Sequence, residues 1–338
     1  MRPLVPVFGL AVAALFAVLM FTRGTDSPGS AETASDPFGE VGIVDACAEG
    51  CERMELATVA PSAAAGPTAA PTPCPYCEQN PERWRELTSV APPELLGTSA
   101  VLLEGGCGEM LIGQNWRERR QPASLAKIAT AIVVVDNADL NAAVDVQITG
   151  WDLSVENESS IMGLVAGMRI SVEELLYGLL LASGNDAALE LSRFLGGEDT
   201  VVALMNRRIA ALGLTDTLLK NSHGLDAPGA HTTPFDMAVL GRELLQNPVL
   251  RQIVGTQYRQ EDWHDLGRLT NGNYLLYIYE GALGVKTGYT EEAGWLIVSA
   301  AERDGRLLIA SVFDSADVYW DSMRLFDWAF ENTPNICA

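Results

Sequence analysis

The chain predicts a mixed α/β (α+β) fold in which an antiparallel sheet is flanked by helices. Three observations carry this reading. Residues 98–103 and 109–112 are short apolar runs on either side of Glu104-Gly105-Gly106-Cys107-Gly108, the pattern of a β-hairpin. Residues 295–300 and 307–313 repeat it across Asp304-Gly305 near the other end of the chain. Between the two hairpins, residues 124–135 and 172–182 are apolar stretches too long for ordinary strands, and they read as buried helices. With 338 residues, 48% of them hydrophobic and 20% charged, the chain has material for one sizeable domain plus appendages.

The N-terminal element stands apart. After Arg2, residues 3–21 form an uncharged, mostly apolar run that would span roughly 28 Å as a helix, close to a bilayer's hydrocarbon thickness. The run is long for a signal-peptide core. Thr22-Arg23-Gly24-Thr25-Asp26 follows it in place of a small-x-small cleavage site, which favours a membrane anchor over a cleaved export signal. Apart from Arg23 the next basic residue is Arg53, while acids accumulate from Asp26 onward, so the bulk of the chain is expected outside the cytoplasm.

Residues 24–91 are rich in alanine, proline, serine, threonine and glycine and read as a spacer. Four cysteines lie there, Cys47, Cys51, Cys74 and Cys77, and three readings of them stay open. Disulfides suit an exported chain with an even cysteine count. A four-thiolate zinc site has suitable spacing but no histidine nearby. Cys74-Pro75-Tyr76-Cys77 is similar to a glutaredoxin redox motif, without the strand and helix pattern that should follow one. Cys107 and Cys337 are left as a pair or as two free thiols. The formal net charge of -22 excludes nucleic acid or an anionic membrane surface as the main partner, because such binding needs clustered cations.

From about residue 92 the informative signal is lysine. The chain has three lysines against 19 arginines, and two of the three sit in Ser124-Leu125-Ala126-Lys127 and Lys286-Thr287-Gly288. Burial can bring a lysine amine near neutral pKa, whereas guanidinium stays protonated. The helix over 124–135 follows Gln121-Pro122-Ala123, and residues three apart share a helix face, so Lys127 stands one turn above Ser124 within reach of its hydroxyl. Leu125, Ala126, Ile128, Ala129, Ala131 and Ile132 surround Lys127, an apolar setting that suits a tuned base and not a solvated charge. Unpaired N–H groups at the helix start favour developing negative charge there.

Two further elements complete the set. The helix over 172–182 ends at Ser183-Gly184-Asn185, a turn from which a hydroxyl and an amide can face one cleft, the first to shuttle a proton and the second to hold a substrate carbonyl. Lys286-Thr287-Gly288 precedes the second hairpin, and an edge strand there can bind a substrate carboxylate through Lys286 and Thr287. Gly288 removes the side chain that would block close approach of substrate backbone. Each motif is common by itself; the three in this order on suitable elements point to a serine acyl-transfer site.

Residues 92–331 closely resemble the serine D-alanyl-D-alanine carboxypeptidases, the low-molecular-mass penicillin-binding proteins related to serine β-lactamases. The likeness extends beyond the three motifs to Arg119-Arg120-Gln121-Pro122-Ala123-Ser124, Asn221-Ser222-His223-Gly224-Leu225-Asp226 and Gly284-Val285-Lys286-Thr287-Gly288-Tyr289-Thr290. The resemblance implies a three-layer sandwich with a helical subdomain, the fold of DD-peptidases and serine β-lactamases. It implies Ser124 as the nucleophile on the terminal D-Ala-D-Ala bond of peptidoglycan stem peptides, Lys127 as the base, and Ser183 with Lys286 relaying a proton to the leaving D-alanine. Asn185 would position the peptide, Lys286 and Thr287 would bind its carboxylate, and the N–H groups of Ser124 and Tyr289 would face the oxyanion. It requires no metal or other cofactor, and it makes β-lactams inhibitors.

Some features depart from that pattern. Some family members carry a second, β-rich domain, whereas here an amphipathic helix over 318–330 is followed by a short tail, 332–338, so membrane attachment falls to the N-terminal segment 1–23. His223 reads as a loop residue, and His231 and His264 give no metal-ligand pattern. A β-lactamase would need a positioned glutamate for deacylation, and Glu156 and Glu158 lack a convincing context for it. A DD-endopeptidase, and a peptidoglycan-binding protein without catalysis, complete the alternatives; retention of the nucleophile argues against the last.

Overall fold

The computed structural model describes residues 79–157, 159–260 and 267–337, which fall within one compact unit beginning at Thr68. Residues 3–21, Cys47, Cys51, Cys74, Cys77, Glu158 and His264 lie outside them, so the anchor and the spacer cysteines are not described. No helix among the described residues is long and apolar enough to cross a membrane.

Helix α1 (Trp84–Leu87) is followed by strands β1 (Ser99–Glu104) and β2 (Met110–Gln114), a 3-10 turn (Ala123–Leu125) and α2 (Ala126–Asn137). Strand β3 (Ala143–Asp145), α3 (Gly150–Asn157) and β4 (Arg169–Ser171) lead into α4 (Val172–Leu181), α5 (Asn185–Phe194) and α6 (Glu198–Ala211). Then come α7 (Pro234–Gln246), α8 (Pro248–Gly255), β5 (Tyr258–Gln260), β6 (Arg268–Thr270) and α9 (Leu275–Ile278). The long strands β7 (Ala282–Thr290), β8 (Gly294–Arg303) and β9 (Arg306–Phe313) and helix α10 (Val318–Asn332) close the chain.

The main sheet has the order β2-β1-β9-β8-β7, antiparallel throughout. Its two hairpins lie far apart in sequence and join where β1 pairs with β9. Val101 and Leu103 enter the core shared with α2, α4 and α7, while Ala100 and Leu102 enter the core shared with α10. Successive side chains of a strand point to opposite faces, so a strand covered on both reads as an unbroken apolar run. The sheet is thus the middle of three layers.

Helix starts follow their caps. Ser171 and Glu174 form a reciprocal capping box on α4, and Thr233 and Asn247 cap α7 and α8 ahead of Pro234 and Pro248, whose missing N–H costs nothing at the first helical position. Residues 79–91, which composition assigns to the end of the spacer, pack on the domain at the β2 edge. Gly113 N donates to Pro81 O and Met110 N to Gln79 Oε1, each at 2.9 Å, and Trp84 meets Trp328 edge to face. The opposite edge is β7, which carries Lys286, Thr287 and Gly288.

Candidate active site

Ser124 lies at the centre of the 3-10 turn, one turn before α2 becomes regular, so the helix reading held while its start moved by two residues. Ala123 enters that turn with φ 45°, a strained value for a residue with a side chain. Two glycines allow the approach of other segments. A Cβ on Gly288 would stand 3.1 Å from Ser124 N, which places the edge strand in contact with the turn. A Cβ on Gly224, at φ 88°, would stand 1.8 Å from Ala123 O.

Lys127 is fully buried on the inner face of α2. Its Nζ lies 3.1 Å from Ser124 Oγ and donates to Asn185 Oδ1 at 2.7 Å and to His223 O at 2.5 Å. Burial holds the amine well below the usual lysine range, the charge of Lys286 lowers it further, and Asp186 opposes both. A neutral amine has two N–H donors and one lone pair. The two carbonyl-type oxygens take the donors, and the lone pair is left facing the Ser124 hydroxyl.

Each partner of Lys127 is itself held. Asn185 opens α5, and its Nδ2 donates to Ser159 Oγ at 3.0 Å, so its amide is engaged at both ends. Asp186 is fully buried and accepts from the N–H groups of Met162, Gly163 and Leu164 at 2.9, 2.9 and 3.0 Å. It fixes the segment that carries Ser159 and Ser160. Glu198 takes Ser222 N and Oγ, and Thr130 Oγ1 donates to Ser222 O, which pins the loop supplying His223 O. Burial, then the Lys127 charge, pushes His223 down to about 4 against the pull of Glu198, so its ring is neutral at pH 7. Leu225 N donates to its Nδ1 at 3.2 Å, which fits the reading of His223 as a loop residue.

A cleft of about 430 Å³ opens along β7, with Ser124, Ser183, Lys286, Thr287, Gly288 and Tyr289 on its walls and the segment Thr270-Asn271-Gly272 opposite. Ser183 has φ 58°, and its Oγ is buried with no hydrogen-bond partner among the described residues. Lys286 is 2% exposed; its Nζ donates to Thr287 O at 2.9 Å, and burial pushes it down to about 7. All eight residues singled out in the sequence therefore come together: Ser124, Lys127, Ser183, Asn185, Lys286, Thr287, Gly288 and Tyr289. Sequence reasoning missed the supports. Asp186 directly follows the second motif as an acid in an otherwise apolar helix start, a signal that could have found it, whereas Ser159 and Glu198 have no local signature.

Fold and site define a class, the serine DD-peptidases with a lysine beside the nucleophile. A family model described as D-alanyl-D-alanine carboxypeptidase matches residues 86–317. The D-alanyl-D-alanine carboxypeptidase DacB2 of Mycobacterium tuberculosis is 35% identical over 257 residues, which are 73% of this chain and 86% of that relative. DacF of Bacillus subtilis is 33% identical over 251 residues, 72% of this chain, and the match spans only 62% of that longer protein. Among solved structures, the Streptomyces K15 DD-transpeptidase matches with a TM-score of 0.68 at 30% identity, over 72% of this chain and 100% of that one. The D-alanyl-D-alanine carboxypeptidase from Mycobacterium tuberculosis H37Rv matches with a TM-score of 0.67 at 35% identity, over 73% and 97%. The chain belongs to the D-alanyl-D-alanine carboxypeptidase family.

Proposed function

We propose that this protein removes the terminal D-alanine from peptidoglycan stem peptides through an acyl-enzyme on Ser124. The observation that carries the reading is the buried Lys127 amine, 3.1 Å from Ser124 Oγ with both donors committed elsewhere. Lys127 takes the Ser124 proton as Oγ attacks the carbonyl between the two D-alanines. The oxyanion forms beside Ser124 N and Tyr289 N, donors of a kind whose individual loss costs about 100- to 1,000-fold in rate. Ser183 and Lys286 relay a proton to the departing amine, and the C–N bond breaks. Water then hydrolyses the ester and restores Ser124.

Lys286 and Thr287 bind the terminal carboxylate, and Gly288 leaves room for the peptide along β7. Asn185 acts on the peptide chiefly by orienting Lys127, since both ends of its amide are engaged. β-Lactams would acylate the same serine. The domain, residues 92–331, would work outside the cytoplasm, held to the membrane by residues 3–21 through the spacer; the uncharged run and the scarcity of basic residues after it support that placement.

The test is D-alanine release from a stem pentapeptide by the full chain and by Ser124→Ala, with intact mass after penicillin. Release that disappears in Ser124→Ala, with one stable penicilloyl adduct on the native protein, is the expected result. Rapid penicillin turnover would instead make it a β-lactamase. A folded protein with neither release nor adduct would make it a binding protein.

A further inference from the structure

A second cavity, of about 280 Å³, lies away from the catalytic cleft, where the C-terminal ends of α2 and α7 meet α6 and the start of α8. Its walls include Ile132, Val135 and Asp136 from α2, Arg208 from α6 and Glu243 from α7, with Pro248 on the α8 side. Asp136 follows Lys127 by nine positions on the same helix, roughly 14 Å along its axis, and nothing in the chemistry above uses this space.

The charges on these walls are not matched to one another. Asp136 is exposed in the last turn of α2, where a carboxylate adds to the negative end of the helix dipole, and it makes no hydrogen bond or ion pair among the described residues. Glu243 stands in the last turn of α7 and is paired with the Arg208 guanidinium. Arg208 gives that carboxylate only Nη2. Its Nε is enclosed without a partner and Nη1 has none among the described residues, so most of a fork of five donors is unused. A plain amine in the cavity would leave the guanidinium in that state, and a plain carboxylate would meet two acids and two helix C-termini. A molecule with both groups satisfies both walls, and Val135 and Pro248, the apolar residues there that are not fully buried, leave an aliphatic surface for its body. We infer that this cavity is a binding site for an α-amino acid with a short aliphatic side chain, separate from the catalytic cleft.

The test is ligand-observed NMR on the full chain with L- and D-valine, isobutylamine and isovalerate, which share an aliphatic body and differ in charge. At least one valine enantiomer should bind with a Kd of about 1 mM or below, the scale for a ligand of roughly eight non-hydrogen atoms. Each singly charged analogue should bind about tenfold more weakly. Asp136→Asn should weaken valine by about tenfold and leave circular dichroism unchanged, since Asp136 has no partner to lose. Arg208→Gln should weaken it likewise; if that variant melts lower because Glu243 is left unpaired, Arg208→Gln with Glu243→Gln takes its place. Lys286→Met, which removes a cation from the catalytic cleft, should bind valine as the native protein does. Isobutylamine binding as tightly as valine would make the cavity a cation site and overturn the inference. So would the absence of binding by either enantiomer, binding indifferent to Asp136→Asn, or binding lost in Lys286→Met, which would move it to the catalytic cleft.

Discussion

Two lysines buried in one site set its pH behaviour. Lys127 must be neutral to accept the Ser124 proton, and burial beside Lys286 holds it well below the lysine range. Lys286 must be charged to attract a carboxylate, and it loses its proton near 7 in the free enzyme. The rate constant kcat/KM reports the free enzyme, so it should fall as pH passes about 7 and Lys286 loses its charge. A bound carboxylate favours the charged amine, so the falling limb of kcat should lie at higher pH than that of kcat/KM; coincident limbs would remove Lys286 from carboxylate binding. The same burial has a stability cost whose sign follows from linkage. Unfolded, Lys286 titrates at its ordinary 10.5; folded, at about 7. Between these values the unfolded chain holds more protons, so stability rises with pH, and below 7 the cost is fully present. Lys286→Met should therefore melt on the order of 5 °C higher than the native protein at pH 6. The gain should shrink toward pH 10, which melting curves across pH would check.

At the scale of elements, the site is a meeting of the 3-10 turn, the start of α5, the Asn221–Leu225 loop and the edge strand β7. Gly224 is where two of them touch. Gly224→Ala would put a methyl group 1.8 Å from Ala123 O in a backbone conformation that costs about 1–3 kcal/mol for most residues. The turn must shift, and a displacement of about 1 Å at a nucleophile can cost ~100-fold in rate. Acylation by labelled penicillin should slow by about that factor while circular dichroism stays native; an unchanged rate would mean that the turn does not depend on the loop. These junctions also explain what the sequence made legible. Ser124 and Lys127 share one helix face, and Lys286, Thr287 and Gly288 share one strand, so spacing alone could announce them. The two-residue delay of α2 was not legible, because the turn that replaces its first residues packs against Gly288, 164 positions away in the chain. The short ribbons β3–β4 and β5–β6 escaped because three residues per strand give too little alternation to read. Asn185 was read as facing substrate; only the fold brings Ser159 to the other end of its amide.

The whole molecule is closed by pairing its ends. β1 meets β9, and beside that junction Arg306, paired with Glu104, donates to Ala329 O and Thr333 O at 3.0 and 2.7 Å and so caps the end of α10. Cys107, in the β1–β2 turn, forms a disulfide with Cys337 just past α10, with the Cα atoms 5.4 Å apart and 230 positions between them in the chain. The sequence left these two cysteines open because their proximity depends on that same closure. A cross-link over so long a loop restricts the unfolded chain strongly, and losing it should cost about 2–5 kcal/mol. It lies at the far end of the sheet from the chemistry, since β1 is three strand spacings, roughly 14 Å, from β7. Cys107→Ser with Cys337→Ser should therefore lower the melting temperature and leave acylation of Ser124 at 25 °C unchanged. Reductant should lower the melting temperature of the native protein in the same way. If the double variant melts with the native protein, the Glu104–Arg306 pair holds the ends together without the cross-link; if it melts lower and acylates more slowly, strain at the β1–β2 turn reaches β7 through the sheet.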